Sequence, residues 1–370
     1  MIKLILWVSF IIFVAFTAQL ILQHPNGNLL DFEAISDYAT SISGIFSFLS
    51  IVLIYYTLKH QSFSFNRTQF ENRLFELIRY HRDNVSITRL RCPAAKTEIY
   101  YEGHKALREI HKQVLKAVDD IKPLIKTLED IYISEELKNH ELDYYEKHKG
   151  ISLLKLNQYN IAYLSVFYGM SAEGVQAFKE KLKGKYKSNL INSVINLQEN
   201  KYAAWSKAVN KKDNVKYFGG HQYRLGHYFR HLFQTFNYID NNEDLSYIEK
   251  YEYTKIIRAQ LSTYEQTLLF FNSISELGRP WELSVSYNER IRECTWKDYW
   301  KYKCLITKYD IIRNVTNEFV PDIKIKDFYP ELTFDGEKDS KRRRKLNNLF
   351  SKKATYFTQC RFEHLKYVFD

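Results

Sequence analysis

Two histidines one helical turn apart, with an arginine one turn before them, are the residues best placed for chemistry in this chain. In RLGHYFRHLFQTFNYID (224–240) a rotation of about 100° per residue puts Arg224, His227, His231, Gln234 and Tyr238 on one stripe. The other face carries Leu225, Tyr228, Phe229, Leu232, Phe233, Phe236 and Ile239 and is expected in the core. The next segment, 247–277, reads as one helix that buries Ile257, Leu261, Tyr264, Leu268 and Phe271. Its neighbouring edge holds Arg258, Ser262, Glu265 and Asn272. A buried arginine needs a counter-charge, so Glu265 or Asp240 is expected to neutralise Arg224 or Arg258 in one polar cluster.

Three readings compete for the stripe. His227 and His231 at i, i+4 suit zinc, but the Glu that follows the first His in zinc metalloproteases is replaced by Tyr228, and no third ligand is evident. No metal and no cofactor are therefore expected. Arg224 and His231 enclose six residues, a spacing that resembles the Arg-x4-6-His pattern of HEPN-type ribonucleases. There a guanidinium stabilises phosphate charge and an imidazole moves protons, which makes Arg224 and His231 the catalytic candidates and RNA the partner under that alternative. In the third reading the stripe is a polar layer bonded to carboxylates or carbonyls, with His227 and His231 as switch residues between packed helices.

The elements that carry these residues are helical. Leu4–Leu22 is an uncharged run long enough to cross a hydrocarbon core, and Phe16 spoils the small-residue pattern of a signal-peptidase site near Ala18. Ala39–Leu58 is a second uncharged run, ending in Tyr55 and Tyr56 at an interfacial position. Between them, residues 23–38 form a short acidic loop with the turn signal Pro25-Asn26-Gly27. Lys3 precedes the first run, and Lys59, His60, Arg67 and Arg73 follow the second. The expectation is thus a two-span transmembrane hairpin over residues 1–59 with both termini cytoplasmic. Ser41, Ser43, Gly44, Ser47 and Ser50 would let helices approach closely within the hairpin or between protomers of a homo-oligomer.

Beyond the spans, residues 69–91 place Phe70, Leu74, Ile78 and Val85 on one face, and residues 101–131 repeat that spacing. The aromatic run 157–170 is too short for a bilayer and is expected as a buried core helix. The predicted fold is all-α: the hairpin, a helical cytoplasmic domain over 60–334 and a basic segment over 335–370 containing Lys341-Arg-Arg-Arg-Lys345. Only 12 glycines and 6 prolines in 370 residues exclude a loop-rich sandwich or barrel, and 16% aromatic residues exclude a disordered chain. Cys92, Cys294, Cys304 and Cys360 have neither zinc spacing nor disulfide density, which fits a reducing compartment. The net charge of +11 suits an anionic partner, lipid surface or nucleic acid.

Several ordered blocks carry a family resemblance: GHQYRLGHYFRHLFQTFNYID (220–240), YEYTKIIRAQLSTYEQTLLFFNSISELG (251–278) with Trp281-Glu282 after it, and LITKYDIIRN (305–314). Together they closely resemble the putative phage abortive infection protein family, often called AbiC-like. Weaker similarity lies in FENRLFELIRYHRDNV (70–85) and NIAYLSVFYG (160–169). The resemblance implies a bacterial antiphage role in which infected cells stop growing or die before phage matures. It further implies two N-terminal membrane spans, hence the bacterial inner membrane, and it assigns no catalytic mechanism. The family's blocks map onto Gly220, His221, Arg224, His227 and His231, and onto Arg258, Gln260, Leu261, Ser262, Glu265 and Asn272. With the stripe, they make His227, His231, Arg258, Gln260 and Glu265 the expected polar or switch residues. The leading expectation is a membrane effector whose body answers a phage component or companion defence protein; the alternative is a membrane-tethered HEPN-like ribonuclease.

Overall fold

The computed structural model describes residues 32–91, 100–147, 150–169, 171–207, 220–282, 305–329 and 332, with scattered helical positions between Trp7 and Leu22. The Pro25-Asn26-Gly27 turn, all four cysteines and the basic segment 335–370 lie outside the described residues. Two units are distinguished, Met1–Phe75 and Glu76–Asp370.

Helix α1 (Phe32–Ser86), 55 residues long, supplies the first unit up to Phe75, and its last residues, Glu76–Ser86, belong to the second. From Ala39 this helix is long and apolar enough to cross a membrane, and it is the one helix among the described residues that is so. Its large side chains face outwards: Phe46, Phe48, Ile51, Ile54, Tyr55 and Leu58 are all exposed. A helix on a water-soluble core would bury an apolar stripe instead. The polar groups in the run are satisfied internally, because the hydroxyls of Ser47, Ser50 and Thr57 each donate to the carbonyl four residues earlier at 2.8 Å. The described positions of the first apolar run are helical, and the Phe13 ring lies 6.4 Å from that of Phe46.

In the second unit a short antiparallel hairpin, β1 (Arg89–Arg91) with β2 (Tyr100–Glu102), pairs Leu90 with Tyr101. It is a small departure from an otherwise helical body. Helix α2 (His104–Ile121) buries Ala106, Ile110, Val114, Ala117 and Ile121, the three-and-four spacing read in the sequence. Helix α3 spans Glu135–Leu142, and α4 (Leu153–Tyr168) is the expected core helix, with Leu156, Ala162, Leu164 and Val166 fully buried. Helices α5 (Ala172–Leu182) and α6 (Ser188–Lys207) follow, then α7 (Gln222–Asp240), α8 (Tyr247–Arg258), α9 (Thr263–Ile274) and the short α10 (Leu305–Tyr309). Helix α2 packs on α4 and α9, α9 also packs on α4, and α7 lies on α4 and α8.

The single helix expected over 247–277 is two helices. Ser262 has extended backbone, and its hydroxyl accepts from the Glu265 amide while the Glu265 carboxylate accepts from the Ser262 amide. This reciprocal capping box starts a new helix inside an uninterrupted apolar pattern. Ser246 and Glu249 start α8 in the same way. The entry to α7 is fixed by backbone approach: His221 N donates to Phe167 O at 2.8 Å, and Gly220 has φ +66. A Cβ on Gly220 would stand 2.3 Å from the Tyr168 carbonyl oxygen, so only glycine fits.

A buried ionic cluster ties α3, the α5–α6 turn and the end of α9 together. Lys185 Nζ lies 2.7 Å from Glu141 and 3.1 Å from Glu276, Tyr132 donates to Glu141 at 2.6 Å, and the fully buried Arg279 sits over the Tyr145 ring. Burial alone would raise the Glu276 carboxyl, but the Lys185 and Arg279 charges hold it below the ordinary glutamate value.

Candidate functional site

Glu265, one turn into α9, is the most heavily engaged carboxylate near the stripe. Its side chain is fully enclosed, and it accepts from Tyr228 Oη at 2.9 Å and from the Ser262 amide and hydroxyl at 2.9 and 2.6 Å. Two imidazoles flank it: His81 Nε2 is 3.3 Å from Oε1, and His104 Nδ1 is 3.3 Å from Oε2. The His81 approach is an electrostatic contact, not an aligned hydrogen bond. Burial would push the Glu265 carboxyl up, yet His81 and the two Ser262 donors hold it below its usual value. A carboxylate held by three hydrogen bonds and flanked by two imidazoles is a poor proton acceptor for a substrate and a good anchor for the imidazoles beside it.

His81 and His104 line a cavity of about 690 Å³ that Glu265 itself does not reach. Its walls come from the end of α1 (Arg82), the turn between β2 and α2 (Gly103, Lys105) and the α8–α9 connection (Gln260). Two neighbouring segments, 81–86 and 100–105, and the distant Gln260 thus meet around one concavity. Among the described residues no group of three His, Cys, Asp or Glu side chains is placed to hold a metal ion.

The stripe on α7 has other partners. Arg224 Nε donates to Arg89 O at 2.7 Å and Nη1 to Gly220 O at 3.2 Å, while its guanidinium covers the Tyr223 ring at 4.1 Å. His221, just before α7, is buried: Nε2 donates to Gln113 Oε1 at 2.7 Å and Nδ1 faces Arg224 Nη1 at 3.3 Å, which fixes a neutral tautomer. Burial, helped by the Arg224 charge, lowers His221 to about 3. His231 Nε2 donates to Leu77 O at 2.9 Å, so α7 is pinned to α1, and His227 is exposed. Arg258 donates to the carbonyls of Tyr309 and Asp310, and Asp240 bonds Tyr309 Oη at 2.6 Å and pairs with Lys308.

The structure therefore brings Glu265 and Gln260 to one locality and places Arg224, His231 and Arg258 on backbone carbonyls elsewhere. The counter-charges differ from those expected: Glu265 faces His81 and His104 in place of an arginine. Sequence reasoning missed both, because they lie more than a hundred residues away and each looks like an ordinary helix histidine. Tyr228 was read as core, and it is, but its hydroxyl reaches Glu265. One local signal was present: Ser262-x-x-Glu265 is a capping box that fixes where this carboxylate stands.

Residues 220–288 match the family model described as "Putative phage abortive infection protein". The matched range takes in α7, α8 and α9, and hence Gly220, His221, Tyr228, Gln260 and Glu265, so the resemblance read in the sequence is shown there. The blocks at 70–85, 160–169 and 305–314 lie outside it. Neither the curated proteins nor the solved structures contain a match to the chain.

Proposed function

We propose that this chain is a phage-defence protein of the abortive-infection type, held in the bacterial inner membrane, in which the helical body answers infection and the membrane segment carries the damage. The observation that carries this reading is the presence, in one chain, of the matched segment 220–288 and of an apolar helix whose large side chains Phe46, Phe48, Ile51, Ile54, Tyr55 and Leu58 are exposed. The match supports the defence role, and the exposed apolar run supports a membrane location.

The membrane part acts as a two-span hairpin, a reading favoured by the ring approach of Phe13 to Phe46 and by the basic residues that follow Leu58. Both termini then lie in the cytoplasm with the body. Infection, through a phage component or a companion protein, favours a second state of the body, and hairpins from several copies assemble and breach the membrane. Such a trigger must interact differently with the two states, since equal affinity shifts nothing. Expressed in a phage-sensitive strain, the chain should reduce plaque formation, and cells infected at high multiplicity should stop growing without releasing phage. Unchanged plaque numbers and normal bursts across a broad phage panel would refute the defence role.

A further inference from the structure

We propose that the buried ionic cluster around Lys185 is a seam along which the body opens, with α3 and the α5–α6 turn coming away from α4 and the end of α9. This opening is the second state that the trigger favours. What the opening does rests on the defence role proposed above.

The first observation is how the charges divide. On one side Lys185 Nζ lies 2.7 Å from Glu141 on α3. The turn that carries Lys185 is clipped to residues 131–133, by Ile133 N to Lys185 O at 3.1 Å and Lys187 N to Ile131 O at 2.8 Å. On the other side Glu276 N donates to Asn160 Oδ1 on α4 at 2.9 Å, and the Arg279 charge acts on the Glu276 carboxylate three residues before it. Each side therefore keeps one cation and one anion of its own. Separation leaves no unbalanced charge on either side, which removes the main penalty of breaking a buried ionic cluster.

The second observation is what crosses between the two sides. Lys185 Nζ reaches Glu276 at 3.1 Å, and Tyr186 Oη donates to Asn157 Oδ1 at 2.6 Å. Asn157 Nδ2 donates to Tyr132 Oη at 2.6 Å, and Asn160 Nδ2 to Tyr186 Oη at 2.9 Å. Lys185 is 5% exposed, and Asn157 and Asn160 are fully buried. On opening, such bonds are exchanged for bonds to water, so each holds a net of about 1 kcal/mol, less than the roughly 1.5–3 kcal/mol of a buried apolar side chain. A core built for stability alone would do as well with apolar residues at these positions. Paired polar groups suit a contact that is made in one state and hydrated in the other.

The test is amine acetylation of the purified full chain in detergent across a urea series, read by mass spectrometry with the exposed Lys183 as reference. Tryptophan fluorescence, to which the buried Trp281 contributes, reports the folded body. Lys185 is expected to be acetylated at urea concentrations where the fluorescence is still native, because local opening lies below global unfolding. Acetylation only in step with global unfolding overturns the proposal. The second arm is Lys185→Met combined with Glu276→Gln, which removes one charge of each sign and keeps the side-chain lengths. Its unfolding midpoint is expected to be no lower than that of the parent. Opening now exposes an apolar side chain, so phage protection should fall at least about tenfold in plaque count. A lower midpoint, or a variant that protects like the parent, also overturns the proposal. A parent that gives no protection removes the defence role instead, and Lys185 acetylation still decides whether the seam opens.

Discussion

A carboxylate enclosed like Glu265 does two jobs at once, and substitutions separate them. As the N3 residue of a capping box it should matter about as much as its partner, so Ser262→Ala is expected to cost about 1 kcal/mol. As the buried acceptor for Tyr228 and the counter-charge beside His81 it should matter more. Glu265→Ala is expected to cost about 3 kcal/mol in chemical denaturation, because it strands a buried phenol and a buried imidazole. Equal losses for the two variants would reduce Glu265 to a helix cap. His221 supplies a second test at this scale. Its folded value of about 3 lies below the ordinary 6.5, so between those limits the unfolded chain binds a proton that the folded chain refuses. Stability should accordingly fall as pH drops below about 6.5, and the effect should grow down to about pH 3. Burial also lowers His111, which adds with the same sign. His221→Gln keeps a donor for Gln113 and should flatten the upper part of that slope; an unchanged slope would contradict the buried neutral imidazole.

Elements in this body are positioned by backbone approach as much as by apolar faces. Gly220→Ala forces both a positive φ on a substituted residue and a 2.3 Å collision with the Tyr168 carbonyl. A loss on the order of 2–4 kcal/mol is expected from the thermal midpoint, whereas Gly226→Ala, whose Cβ would have only Phe167 nearby at 3.8 Å, should be close to neutral. Helical periodicity was a reliable guide here: the apolar faces of α2 and α7 are those that the three-and-four spacing marks, while α4, an unbroken apolar run, is buried nearly all round. It failed at Ala259–Ser262, where the apolar spacing runs straight through a break and only the Ser262-x-x-Glu265 signature shows it. It could not bring His81 and His104 to Glu265 either. Those meetings depend on how α1, α2 and α9 pack, which a single sequence does not encode locally.

At the scale of the whole molecule, one chain holds an exposed apolar helix and a helical body whose residues 220–288 match the abortive-infection family model. The apolar composition of Ala39–Leu58 was plain in the sequence, because a hydrocarbon environment leaves few residue types to choose from. What the body would respond to was not, since recognition surfaces obey no periodicity. The most direct measurement is single-cell membrane potential during phage challenge, comparing the intact chain with one whose residues 1–59 are replaced by an inert two-span anchor, both checked for expression and membrane location. The intact chain is expected to collapse the potential before lysis, and the replaced chain to leave it unchanged and lose protection. A potential that holds in cells that still arrest, with protection surviving the replacement, would contradict the account and move the activity into the helical body, where RNA integrity with His231→Ala becomes the deciding assay.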